Sequence, residues 1–93
     1  MLTKQERTAA RRALEATRKM RVKNLRLLAD HYQSWAELGR RCSKSPTFLT
    51  AIAGPNPRRE CGEELARTIE HALDLPAGFL DKTHTAATIA LIA

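Results

Sequence analysis

The stretch Ser34-Trp35-Ala36-Glu37-Leu38-Gly39-Arg40-Arg41-Cys42-Ser43-Lys44-Ser45-Pro46-Thr47-Phe48-Leu49-Thr50-Ala51-Ile52 decides the fold. It reads as two short helices separated by a turn of three or four residues. Ser34 suits an N-cap, because its hydroxyl accepts from a backbone N–H of the first helical turn. Ala36, Leu38 and Cys42 are small or apolar and sit near helical spacing. Ser43-Lys44 breaks that pattern. Ser45 caps again, and Pro46 fits the first helical position, where a missing N–H costs nothing. Leu49 and Ile52 give the second helix an inward face, and Thr47, Thr50 and Ala51 share its outward face. The pattern predicts a helix-turn-helix whose second helix has a small outer surface of the kind that enters a DNA groove.

The rest of the chain is consistent with a small helical domain. Ninety-three residues hold one modest core. No β-branched alternation recurs, so the expectation is an all-α, compact bundle of about five helices. The net charge of +6 is unevenly spread. Residues 1–30 carry nine Lys/Arg against three acids, residues 31–59 five against one, and residues 60–93 two against six. A basic first two-thirds beside an acidic last third predicts a polyanion-binding face on one side. There is no 18-residue apolar run and no signal-peptide core, so neither a membrane span nor export is expected. Two cysteines outside any CxxC pair suggest a reducing, cytoplasmic setting.

Three regions follow. Residues 1–20 read as a basic N-terminal helical arm. It opens on the capping-box pattern Thr3-Lys4-Gln5-Glu6 and has a thin stripe of Ala9, Ala10, Ala13, Leu14, Thr17 and Met20. Residues 21–82 read as the core domain. Its first helix carries Val22, Leu25, Leu28, Ala29 and Tyr32 at helical spacing, and Gly54 caps the second motif helix. A stiff loop with Pro55 and Pro57 follows. A later helix carries the stripe Leu65, Ala66, Ile69, Ala72 and Leu73, and Pro76 opens a short final helix with Phe79 and Leu80 on the core. Residues 83–93 form an apolar tail, read as a pairing segment through Ile89, Leu91 and Ile92, as a cover for the chain's own core, or as the start of a further segment.

Over about residues 21–81, and not over the N-terminal helix or the apolar tail, the accumulated pattern resembles the phage-type Cro/lambda-repressor helix-turn-helix family. Val22-Lys23-Asn24-Leu25-Arg26-Leu27-Leu28 looks like the opening helix of those domains. Ala36-Glu37-Leu38 and Ser45-Pro46-Thr47-Phe48-Leu49 look like their motif. Most specific is the run from Gly62 to Asp81, with its Leu65-Ala66-Arg67, Ile69-Glu70, Ala72-Leu73, Leu75-Pro76 and Gly78-Phe79-Leu80-Asp81. The chain departs from the family pattern at several places, and Pro55 and Pro57 also make the loop after the motif unusual. Ser43 stands where the turn usually has Gly, Lys44 where Val is common, Trp35 where Gln often reaches a phosphate, and Gly39 where Ala is frequent.

The resemblance implies a sequence-specific transcriptional regulator of phage or prophage origin, in the bacterial cytoplasm and at the nucleoid. It would bind a pseudo-palindromic operator in double-stranded DNA as a homodimer, with the second motif helix in the major groove. The implied base contacts are Lys44, Pro46, Thr47, Thr50 and Ala51. The implied phosphate contacts are Ser34, Arg40, Arg41, Asn56, Arg58 and Arg59. None of the groove-facing residues except Lys44 has a long donor, so direct readout is expected to be modest. The alternative is a protein-interaction module on the same fold. Phe48, Leu49 and Ile52 are expected in the core, Trp35 as a packing residue, Cys42 buried and Cys61 partly exposed. His31, His71 and His84 share no metal-ligand spacing, and no nucleophile-base or phosphate-loop arrangement occurs. No enzyme activity, cofactor, metal or small-molecule ligand is expected.

Overall fold

Thr3 starts the longest element by closing a capping box. Its hydroxyl accepts from the Glu6 N–H at 3.1 Å, and the Glu6 carboxylate accepts from the Thr3 N–H at 3.3 Å. The helix that follows, α1, runs unbroken over Lys4–His31. The computed structural model describes residues 1–92. After α1 come α2 (Trp35–Cys42), α3 (Pro46–Ala53), α4 (Glu63–Ala72), a 3-10 turn over Phe79–Asp81 and α5 (Ala86–Ile92). No strand occurs among the described residues, and the all-α expectation holds.

Residues 20 and 21, where the arm was expected to join the domain, lie inside one helix. At 28 residues α1 is about 42 Å long. Its two parts differ in burial rather than in conformation. Every residue from 1 to 16 is exposed, so the alanine stripe packs on nothing within the chain. From Thr17 onward the helix enters the bundle. Leu25, Leu28 and Ala29 are buried there, and Val22 and Tyr32 are half-buried.

The core gathers Leu25 and Leu28 of α1, Leu38 and Cys42 of α2, Leu49 and Ile52 of α3, and Ala66 and Ile69 of α4. Leu80 and Ile89 close it from the C-terminal side. Burying each such Leu or Ile contributes about 1.5–3 kcal/mol. α4 turns the predicted Leu65, Ala66, Ile69 and Leu73 to the core, but Ala72 is exposed and Glu70 is buried as well. Ile89, read as a pairing residue, is fully buried in the chain's own core, so that assignment is corrected. Leu91 and Ile92 remain exposed.

The polar scaffold is less predictable from pattern. Arg21, only 4% exposed, donates through Nε and Nη2 to the Asp81 carboxylate at 2.6 and 3.2 Å, and through Nη1 to the Cys61 carbonyl at 2.8 Å. Arg67 stands 2.8 Å from Asp81 and 3.1 Å from Glu70 as an ion pair with each. Glu70 accepts from the Gly78 and Leu80 N–H groups at 3.0 and 2.8 Å, which fixes the 3-10 turn from below. Asn24 donates to the Leu80 and Lys82 carbonyls at 2.8 and 2.7 Å. His84 stacks on Phe79 at 3.8 Å between ring centroids and donates to its carbonyl at 2.7 Å. α1, α4, the 3-10 turn and the path into α5 are therefore joined by one hydrogen-bonded and ionic network.

Asp81→Ala leaves Arg21 buried without its carboxylate. Urea denaturation at neutral pH should show a loss of about 3 kcal/mol. Arg21, then Arg67, hold the Asp81 carboxyl below its ordinary 3.8. A carboxylate depressed in this way stabilises the fold fully above 3.8, and the contribution is lost as pH falls through the lower native value. The stability difference between wild type and Asp81→Asn should therefore be constant above pH 5 or so and shrink below 3.8. A difference that stays constant down to acid unfolding would show that the pair contributes through packing alone.

Candidate nucleic-acid interface

Ser34 and Ser45 set where α2 and α3 begin. Each hydroxyl accepts from the N–H three residues on, Glu37 and Phe48, at 3.0 Å. Between the helices lies a three-residue turn, Ser43–Ser45. Ser43 carries the left-handed conformation that the turn requires, at φ 59°. The turn is thus made without glycine, at a cost of order 1–2 kcal/mol to a residue with a Cβ. Gly39 serves the same turn in another way. The end of α2, the helix that holds Gly39, is closed by the Lys44 N–H, which donates to the Gly39 carbonyl at 2.9 Å. A Cβ on Gly39 would overlap the Lys44 carbonyl oxygen, so alanine is excluded where the resembled family tolerates it.

The far end of α3 is equally defined. Gly54 caps it in an extended conformation, φ −78°, so the need for glycine there is space rather than handedness. A Cβ at Gly54 would lie 2.6 Å from the Thr50 carbonyl oxygen. Arg26 of α1 reaches across and donates to the Ala53 and Gly54 carbonyls at 2.7 and 3.0 Å. A guanidinium thus satisfies the last carbonyls of α3 and complements the negative end of its dipole. Sequence spacing gives no sign of this contact between residues 27 apart. The loop then folds back: the Arg58 and Arg59 N–H groups both donate to the Ala51 carbonyl, at 2.6 and 2.9 Å. The backbone that carries two cations is thereby anchored beside the C-terminal turn of α3.

The surface so framed is mixed. Pro46 and Thr47 are exposed, and Thr50 and Ala51 are half-buried. The Thr50 hydroxyl donates to the Thr47 carbonyl at 3.2 Å and keeps its oxygen as an acceptor. Thr50, Ala51, Asn56 and Arg58 line one shallow cleft with Pro55, so these expected base and phosphate contacts meet at one place. Phe48, expected in the core, is half-buried at its edge. The Lys44 ammonium and the Arg59 guanidinium flank its ring at 5.4 and 4.9 Å from the centroid. Lys44 is therefore partly tied to Phe48 rather than free in the turn.

Arg40 and Arg41 are held differently. Both clasp Glu37, at 2.6 and 3.0 Å, and Arg41 also lies 4.5 Å over the Tyr32 ring. Arg40, then Arg41, lower the Glu37 carboxyl below its usual value. Engaging a phosphate would require each to leave or share that carboxylate. Ser34 is exposed, with its hydroxyl oxygen already serving the α2 cap. Trp35 is half-buried against the core and shares a small cleft with Arg26 and Gly54, in keeping with a packing role.

The cysteines are inert. Cys42 and Cys61 are 2% and 1% exposed, which corrects the expected partial exposure of Cys61. Burial pushes both thiols above their ordinary range and keeps them protonated. Among the described residues no three His, Cys, Asp or Glu side chains converge as a metal site would require, and no helix is long and apolar enough to cross a membrane.

No family model, curated protein or solved structure matches this chain.

The turn geometry carries its own test. Ser43→Gly should raise stability by about 0.5–1 kcal/mol, since glycine adopts positive φ without the steric cost and loses part of the gain to chain entropy. Gly39→Ala should lower the thermal midpoint by several degrees and broaden the amide spectrum of residues 39–46. A stabilising Gly39→Ala would mean that the Lys44 carbonyl can move aside.

Proposed function

We propose that this chain is a sequence-directed double-stranded DNA-binding regulator that presents α3 to the major groove. The observation that carries it is the pairing of a sterically small, part-exposed α3 surface with two arginines whose backbone is anchored at its end. Pro46 and Thr47 offer a surface that fits a groove, and Thr50 and Ala51 add a hydroxyl and a methyl for base edges. Arg58, Arg59 and Asn56 supply the phosphate contacts that set register. Resemblance to the Cro/lambda-repressor family supports the same reading, from sequence motifs alone.

Direct readout on this reading is sparse. No Arg, Asn or Gln faces outward from α3, so a bidentate base contact is not available from that helix. Part of the specificity then comes from DNA shape and from the pairing of half-sites. Pairing needs a dimer. The exposed Leu91 and Ile92 at the end of α5 are the apolar side chains suited to it, since Ile89 is committed to the core.

Fluorescence anisotropy with a random duplex should show binding that weakens steeply as salt rises from about 0.05 to 0.2 M, because counterions are released from each neutralised phosphate. Absence of binding at the lower salt would end this reading and favour the protein-interaction alternative. Arg58→Ala should weaken all duplexes alike and reduce the salt slope by about 1, whereas changing Thr47 and Ala51 should alter which sequences are selected from a random pool. For the dimer, sedimentation of the full chain bearing Leu91→Glu and Ile92→Glu should give a monomer. A dimer that survives both charges places the interface elsewhere.

A further inference from the structure

α1 forms a second basic surface that the α2–α3 unit does not use. A groove of about 850 Å³ separates it from the segment 57–61. The floor is apolar, built from Val22, Leu27, Ile52 and Cys61, and the rim is Arg18, Lys19, Lys23, Arg26, Arg58 and Arg59. Long cationic stems lie along such a floor and leave their heads at the rim. Two carboxylates share the groove, Asp30 and Glu60. Glu60 is taken by Arg18 at 3.0 Å. Among the described residues, no carboxylate lies within ion-pair distance of Lys19, Lys23 or Arg58.

The helix continues this rim outward. Arg12, Lys19 and Arg26 are spaced seven apart, nearly two helical turns, so they fall close to one line along α1. Arg26 ends that line on the C-terminus of α3, and Arg12 lies on the part of α1 that touches nothing else. From Arg12 to Arg26 the rise is about 21 Å. Glu6 is engaged in the capping box, which leaves Glu15 as the acid interrupting the exposed half.

We propose that α1 is a phosphate-tracking rod: Arg12, Lys19 and Lys23 continue the contacts of Arg58 along the backbone of the same duplex, beyond the half-site that α3 reads. The proposal rests on the DNA-binding reading above. A duplex backbone is the partner that fits, for two reasons. The rim is continuous with Arg58 and Arg59, which flank α3. The apolar side chains of the exposed half of α1 are alanines and Leu14, too little apolar surface to anchor an acidic protein helix.

The test is a salt titration of the full chain on random duplexes of about 30 and about 12 base pairs, the shorter close to one turn of the helix. The comparison is with the triple variant Arg12→Gln, Lys19→Gln, Lys23→Gln. Glutamine is a good helix former, and all three positions are exposed, so circular dichroism should be unchanged. On the long duplex the triple variant should lose about 2.7 from the slope of log K against log salt, three contacts at about 0.9 each. On the short duplex the two proteins should differ much less. Equal slopes on the long duplex, while Arg58→Ala still lowers the slope, overturn the rod and leave the α3 reading standing. No duplex binding by the wild type overturns both. A triple variant that changes sedimentation but not slope makes this face an interface between copies, and the rod is again overturned.

Discussion

The buried guanidinium of Arg21 is the constraint around which the bundle closes. An arginine 4% exposed cannot remain there unless a carboxylate comes to it, and the one that does, Asp81, is 60 residues away. Meeting that demand fixes the 3-10 turn against α1. Arg67 shares Asp81 and in turn stands beside Glu70, which holds the backbone of the same turn. Replacing such a pair by well-packed apolar residues is often neutral for stability, so its value here is in position: it sets the register of α1 against α4. Leu80 and Ile89 can then close the core because the chain between them is already led across Asn24 and Phe79.

The same helix also governs the other side of the molecule. Arg26, five residues beyond Arg21, lies on the α3 end, so α1 carries one cation for the scaffold and another for the carbonyls that close α3. α3 has no charged residue of its own in its first or last turn. The positive potential at its C-terminal end is supplied from outside, by Arg26, Arg58 and Arg59. That division leaves the α3 surface small and uncharged, with cations supplied by neighbouring segments.

What the sequence makes legible depends on distance along the chain. Caps are legible because they act over three residues: Thr3, Ser34 and Ser45 all make the bonds their positions predict. Helix identity follows from periodicity, and the all-α class with it. Contacts that join residues 27, 40 or 60 positions apart carry no local sign, so the roles of Arg26, Arg21 and Asp81 are invisible to pattern. Periodicity also misleads where a polar group is buried. It assigns Ala72 to the α4 core face, but Glu70 occupies that face because the 3-10 turn needs its carboxylate. The apolar tail holds both outcomes at once, with Ile89 inside and Leu91 outside. On the surface of α3, the sequence places Thr47 and Thr50 outward correctly but misses that Lys44 and Arg59 close on Phe48.

One consequence concerns where resemblance and function sit. The run from Gly62 to Asp81, which resembles the repressor family most specifically, supplies Ala66, Arg67, Ile69, Glu70, Phe79 and Asp81, all of them core or network. Those residues hold α4 and the 3-10 turn in place, and none of them lines the cleft beside Thr50 and Ala51. A different ligand could be served by the same scaffold, because a fold specifies a frame and a site specifies chemistry. On the proposed reading, the duplex would instead meet α3, the loop from Pro55 to Arg59 and α1. The departures from the resembled pattern lie in α2, its turn and the following loop, with Gly39 packed on a carbonyl, Ser43 at positive φ and two prolines after α3. Each departure bears on how α3 is presented rather than on whether it folds, so on the proposed reading the turn and loop of this chain would shape its preference among duplexes.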